Sequence, residues 1–236
     1  MTAADRPLWS PSREAAAGSA LARFCWTVSA VDPTAPDADA PYEAWHAWSV
    51  RESERFWAEV WRLTGVIAVP RGEGPGAPPP WEAVLTDGDR MVPPHGESGP
   101  HWFRGARLNF AENLLRRRDQ GTAIVARDER GRRRALTFAE LADAVRRCAG
   151  ALRAAGVEPG DRVAGFLPNL PEAVIGALGA ASVGAVWSSC SPDFGVGGVL
   201  DRFGQIAPKV LLVADGYHYA GKRIDCVARS AQIVAA

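Results

Sequence analysis

AVWSSCSPDFGVGGVLDRFGQIAPKVLLVADGYHYAGKR, running from Ala185 to Arg223, holds a complete strand–helix–strand unit with its connecting loops. Ala185–Ser189 is a short, largely apolar run of strand length. Pro192, Gly195, Gly197 and Gly198 mark a turn, and Val196–Ile206 has helical spacing. Lys209–Ala214 is a second short apolar run. A basic segment follows, GYHYAGK at Gly216–Lys222, and a last helix is expected from near Gly221 toward the terminus. Two buried strands joined through a helix predict a parallel pair, because a parallel connection needs a crossover of about a dozen residues or more.

The pattern continues upstream. Arg162–Leu167 reads as a strand and Pro171–Val183 as a helix with Pro at its first position. Thr137 with Glu140 forms a capping box ahead of a helix striped by Leu141, Val145, Cys148, Ala149 and Leu152, which Gly156 stops. Thr122–Arg127 and Arg133–Leu136 read as strands joined by a turn at Glu129–Gly131, and Asn109 with Glu112 offers a further capping box. Strands alternating with helices in this way predict an α/β domain: a parallel sheet with helices on both faces. Ligands of such sheets lie beyond the carboxyl ends of the strands. That places Pro168–Pro171, Ser189–Gly195 and Asp215–Lys222 at the prospective site.

Before about Leu108 the sequence changes character. Eight of the nine Trp precede residue 103, and VDPTAPDADAP (Val31–Pro41) and PRGEGPGAPPP (Pro70–Pro80) are loops by composition. Between them Ser49 and Glu52 fit a capping box for a helix bearing Phe56, Trp57, Val60, Trp61 and Thr64 on one face and ending at Gly65. Such a face either binds a partner or packs on its own domain, and intramolecular burial is the commoner fate. The predicted division is a helical, Trp-rich N-terminal region over 1–108 and the α/β region over 109–236.

Across 236 residues Lys+Arg and Asp+Glu balance at 27 each, so no long-range field would steer the chain onto nucleic acid or an anionic membrane. Cys25, Cys148, Cys190 and Cys226 are widely spaced, which gives neither a zinc motif nor a disulfide framework. No signal-peptide pattern opens the sequence. The apolar run Val174–Val186 is too short and Gly-interrupted to span a bilayer. A cytoplasmic protein is expected.

Few motifs carry chemistry. GYHYAGK satisfies GxxxxGK, but a Walker loop needs a hydroxyl next to ligate magnesium, and Arg223 stands there. Gly221, Lys222 and Arg223 could still hold a phosphate at a helix start, or be solvated residues on a surface turn. His46, His95, His101 and His218 lack metal-ligand spacing. Ser188, Ser189 and Ser191 have no identifiable base, and Asp193 and Asp201 form no catalytic pair. No GxSxG, HExxH or GxGxxG is present.

Several blocks resemble the adenylate-forming superfamily of acyl-CoA synthetases. RRRALTFAELADAVRRCAGALRAAGVEPGDRVAGFLPNLPEAVIGALGAASVGAV is similar to its early blocks. YEAWHAWSVRESERFWAEVW and WFRGARLNFAENLL resemble the N-terminal extension of the acetyl-CoA synthetase branch. LWSPS, SSCSPDFG and LDRFGQIAPKVL look like the acetoacetyl-CoA synthetases, whereas acetyl-CoA synthetases carry a Gly-rich FGGFS-type segment at SSCSPDFG.

The resemblance implies an acid–thiol ligase: ATP and acetoacetate give an acyl-adenylate and diphosphate, and CoA then displaces AMP. ATP, Mg2+ and CoA are the implied cofactors, and the partners are small molecules rather than nucleic acid or membrane. The family's Ser/Thr/Gly-rich phosphate loop, ribose-binding Asp and lid Lys have no matching position here. No catalytic or metal residue is therefore assigned, and this polypeptide alone is expected to make no acetoacetyl-CoA. CoA contacts are implied for Lys222 and for the turn Ser191, Pro192, Asp193 and Phe194; Tyr219 stands where relatives carry an Arg. The alternative is a non-catalytic α/β module that binds CoA or a partner.

Overall fold

Val163, Ala164 and Phe166 are all buried although they point alternately to opposite sides of one strand, so that strand must be covered on both faces. The computed structural model, which describes residues 9–89 and 99–236, shows how. The chain forms two compact units, Met1–Arg107 and Leu108–Ala236. Leu8 of LWSPS and His95 lie outside the described residues.

The second unit begins with α5 (Phe110–Leu114), β3 (Thr122–Arg127), β4 (Arg133–Thr137) and α6 (Phe138–Ala154). It continues through β5 (Arg162–Phe166), α7 (Pro171–Ser182), β6 (Val186–Cys190), α8 (Val196–Phe203) and β7 (Val210–Val213). It closes with β8 (Gly216–Tyr219), β9 (Lys222–Asp225) and α9 (Val227–Ala235). The parallel sheet has the order β6-β5-β7, with Val163 opposite Trp187 on one side and Val210 on the other. On one face Val163 packs with Ala149 and Leu152 of α6 and Ala180 of α7. On the other, Ala164 and Phe166 pack with Val199 and Phe203 of α8 and Ile233 of α9.

Local signals explain the flanks. Thr137 caps α6 in a complete capping box with Glu140, and Gly156 follows the helix at φ 78°. Asn109 caps α5 by accepting from the Glu112 amide, and its own side-chain amide donates to the Ala181 carbonyl of α7 at 2.9 Å. The antiparallel pair β3–β4 rests on α6 through Ala123 and Ile124, which join the core of Leu141, Ala142 and Val145.

The expected last helix from Gly221 is not observed. Residues 216–225 form the antiparallel hairpin β8–β9, and the helix starts at Val227. Ala220 and Gly221, at φ 51° and 73°, are the two central residues of the turn, as the primed turns that match strand twist require. Lys222 and Arg223 thus lie on a strand, not at a helix start.

The first unit contains α1 (Arg13–Ala17), α2 (Ala20–Val31), α3 (Tyr42–Arg51), α4 (Ser53–Thr64), β1 (Ala83–Thr86) and β2 (His101–Arg104). Its apolar side chains gather in two clusters. Cys25 and Val28 of α2 pack with Trp45 and Trp48 of α3, joined by Phe24 and Phe56; Trp61, Trp81 and Phe103 meet with Ala58 and Val84. The rings pack mostly edge to face, as for Phe24 and Phe56 at 5.5 Å. Gly65 ends α4 at φ 62°, as expected. The Ser49–Glu52 capping box is not formed. Ser49 lies inside α3, where its hydroxyl donates to the His46 carbonyl at 2.8 Å, and Glu52 is the junction residue between α3 and α4.

Candidate functional site

A chain that leaves a parallel strand must turn before its next element, so the carboxyl ends of β5, β6 and β7 gather three loops at one edge of the sheet. Between them lies a cavity of about 760 Å³, of a size that takes a small molecule. Pro168, Asn169 and Leu170 line it after β5, Ser191, Pro192 and Asp193 after β6, and Asp215–Tyr219 with Arg223 after β7. These are the three segments that the strand order marks in the sequence. The fourth wall is the turn between β3 and β4, with Arg127–Arg130 and Arg132. The sequence marks Glu129–Gly131 as a turn but not as part of the site, because its partners on β8 and at the hairpin tip are about ninety residues away.

The loop after β6 is tied down by polar groups of its own and of the C-terminal elements. After β6, the Ser191 carbonyl accepts from the Phe194 amide at 3.2 Å, closing a turn, and the Ser191 hydroxyl donates to the Asp193 carboxylate at 2.9 Å. Asp193 also accepts from the Tyr217 hydroxyl of β8. From α9, Arg229 donates to the Pro192 carbonyl. The Tyr217 hydroxyl, then that of Ser191, hold the Asp193 carboxyl below the ordinary carboxylate range. In return the Tyr217 phenol is pushed up to about 12, chiefly by its bond to Asp193.

The four arginines of the lining differ in their commitments. Arg132 pairs with Asp128 at 2.6 Å, which lowers the Asp128 carboxyl. Arg130 donates to His218 Nε2 at 3.4 Å. Arg127 and Arg223 are exposed and make no ion pair with a described residue. Among the acids, Asp128 and Asp193 are occupied as described, both Glu129 oxygens accept amides of the β8–β9 turn, and the exposed Asp215 carboxylate makes no ion pair with a described residue. The cavity therefore offers two uncommitted guanidinium groups, whose planar forks suit phosphate oxygens.

Of the residues singled out in the sequence, Ser191, Pro192, Asp193 and Tyr219 line this cavity. Phe194 and Lys222 are not among the lining residues. The Phe194 ring carries the Arg202 guanidinium 4.3 Å from its centroid, and Lys222 pairs with Tyr219 across the hairpin. Arg223, set aside in the sequence as the residue that breaks the Walker pattern, lies in the wall. Among the described residues no three His, Cys, Asp or Glu side chains gather to hold a metal ion. No helix among them is long and apolar enough to cross a membrane.

The protein-family comparison matches the AMP-binding enzyme model over residues 110–235. The chain is 48% identical over 223 residues to the acetoacetyl-coenzyme A synthetase of Rhizobium meliloti (strain 1021), covering 94% of this chain and 31% of that protein. It is 43% identical over 183 residues to the acetoacetyl-CoA synthetase of Rattus norvegicus, covering 77% of this chain and 25% of that one. Among solved structures, the acetoacetyl-CoA synthetase from Streptomyces lividans superposes with a TM-score of 0.82 at 41% identity, over 97% of this chain and 33% of that chain. This chain thus spans about a third or less of the length of the relatives it matches. With the family model covering more than half of its residues, and with a parallel sheet whose loops frame one cavity, the chain belongs to the AMP-binding enzyme family.

Proposed function

We propose that this chain supplies the CoA-facing wall of an acid–thiol ligase that joins acetoacetate to CoA at the expense of ATP, through an acyl-adenylate, releasing AMP and diphosphate. Arg127 and Arg223, both without an acidic partner among the described residues and both in one cavity beyond the strand ends, are the observation that carries this reading. CoA bears several phosphates, and two guanidinium groups flanking a cavity are the donors such a ligand requires. Tyr219 lines the same cavity and carries a ring of the kind that stacks on a base. Lys222, across the hairpin from Tyr219, adds a positive charge near it, and Ser191, Pro192 and Asp193 line the same cavity.

Acetoacetate follows from the names of the relatives. A Penicillium aethiopicum malonamoyl-CoA synthetase, 35% identical over 201 residues, extends the acyl class to other short acids with a carbonyl at the third carbon. ATP and Mg2+ belong to the same family-level proposal. No residue of this chain is assigned to the metal: in the cavity Asp128 is held by Arg132, Asp193 by Tyr217 and Ser191, and Glu129 by backbone amides, and Asp215 belongs to no cluster of three possible metal ligands among the described residues.

Isothermal titration of the chain with CoA is the test. Binding that weakens with added salt, and that loosens about fivefold in Arg223→Ala and to a lesser degree in Lys222→Ala, is the expected result for exposed charge contacts. Failure of CoA to bind at roughly millimolar concentration, or an affinity indifferent to both substitutions, would overturn the reading.

A further inference from the structure

The hairpin β8–β9 contributes Tyr217, His218, Tyr219 and Arg223 to the cavity, yet it has little to hold it in place. It is a two-stranded sheet of four residues per strand that pairs with no other described strand. None of its residues from Gly216 to Asp225 is buried. A lone hairpin of that size is marginal in water. At its base the Cys226 amide donates to the Asp215 carbonyl at 2.9 Å, and Tyr217 bonds to Asp193. Among the described residues its tip is hydrogen-bonded by the β3–β4 turn across the cavity. Glu129 Oε1 accepts from the Ala220 amide at 2.8 Å and Oε2 from the Gly221 amide at 3.1 Å. One residue on, Arg130 reaches His218.

The residue doing the holding sits on a firm base. Glu129 belongs to the turn that joins β3 to β4, and that turn is itself closed by the Asp128 carboxylate. Oδ1 of Asp128 accepts from the Arg130 and Arg132 amides at 3.0 and 2.9 Å. Behind it, β3 is anchored in the core under α6. In the hairpin turn, both amides aim outward at one carboxylate, and positive φ at Ala220 and Gly221 sets their direction. A carboxylate with two oxygens satisfies two parallel N–H donors, an arrangement that neither an amide side chain nor a single hydroxyl can reproduce.

We propose that Glu129 is a positioning residue: it latches the tip of β8–β9 to the β3–β4 turn and thereby fixes Arg223 and Tyr219 against Arg127 for ligand binding. Glu129 does not itself meet the ligand, since its oxygens are spent on the hairpin. Its effect on affinity comes from sparing the ligand the cost of ordering the hairpin. The part of the claim that concerns ligand affinity rests on the CoA assignment above; the latch itself does not.

Two measurements separate them. Amide hydrogen exchange of the unsubstituted chain should show protection at Ala220 and Gly221, lost by about tenfold or more in Glu129→Ala and by less in Glu129→Gln, which keeps one acceptor. Titration with adenosine 3′,5′-bisphosphate should show affinity about tenfold weaker in Glu129→Ala, intermediate in Glu129→Gln, with thermal unfolding of the chain unchanged. Exchange at Ala220 and Gly221 indifferent to both substitutions would overturn the latch, whatever the binding shows. Faster exchange with unchanged affinity would overturn the positioning role. An unsubstituted chain that protects these amides but binds no bisphosphate would sink the CoA assignment and, with it, the affinity claim, leaving the latch established.

Discussion

The Tyr217 hydroxyl donates to the Asp193 carboxylate, and through that one bond the base of the β8–β9 hairpin is fixed to the turn that follows β6. Twenty-four residues separate the two, and each changes the other's chemistry. The carboxylate keeps the phenol protonated; the phenol keeps the carboxyl ionised.

The pH dependence of this pair follows from the directions of the two shifts. Tyr217 is raised from 10.0 to about 12, so its contribution to stability is complete below pH 10 and is lost as pH climbs through about 12. Asp193 is lowered, so its contribution is present above its ordinary value of 3.8 and disappears as pH falls below it. Ultraviolet titration of the phenols should therefore show one of the three tyrosines ionising near pH 12, and in Asp193→Asn that step should return toward 10. A late step that survives Asp193→Asn would show that another group causes it.

A second close approach governs the sheet. A Cβ built on Gly165 of β5 would lie 2.6 Å from the six-membered ring of Trp187, and one on Gly176 of α7 would lie 2.9 Å from the same ring. Trp187 thus fills the space between a strand glycine and a helix glycine, and its rigid indole cannot fold away from an added methyl. Gly165→Ala should destabilise the chain by about 1–3 kcal/mol through overpacking. Pairing it with Trp187→Leu should recover part of that loss, a coupling that a double-mutant cycle in urea reads directly. Strict additivity of the two substitutions would refute the contact.

Much of this sheet was legible beforehand because its signals are local. Val163–Phe166 is apolar on both faces, Thr137-x-x-Glu140 is a complete cap, and the loops that follow the strands are marked by Pro168, Pro171 and Pro192. The hairpin was not legible. Its turn is Ala-Gly, without the Asn or Asp that usually announces positive φ, and Ala220 adopts φ 51° because the register of Tyr219 with Lys222 requires it. The Ser49–Glu52 pattern misled for a related reason. Trp45 and Trp48 must both be buried, which makes Tyr42–Arg51 a helix already in progress when Ser49 is reached. Glu129 was legible as a turn residue but not as a partner of the hairpin, since that role depends on a turn ninety-one residues later.

The first unit has its own acid-sensitive point. Asp32, only 8% exposed, accepts from the Thr34 amide at 2.8 Å and the Thr34 hydroxyl at 2.7 Å, and it meets Arg55 of α4 at 3.3 Å. Thr34 in turn accepts from the Trp48 indole at 3.2 Å, so one carboxylate connects the end of α2 to the centre of the aromatic cluster. Burial pushes the Asp32 carboxyl up, but the bonds from Thr34 and the Arg55 guanidinium outweigh it, and the net shift is downward. Its stabilising contribution is accordingly present above the ordinary value of 3.8 and is lost as pH falls below that value. Asp32→Asn keeps the shape, removes the charge, and should cost about 1–2 kcal/mol at neutral pH. Urea unfolding followed by tryptophan fluorescence should show the substituted and unsubstituted chains converging as the pH is lowered toward 3, since acid and substitution remove the same charge. A gap that stays constant between pH 7 and pH 3 would mean that the Asp32 charge does not stabilise this unit.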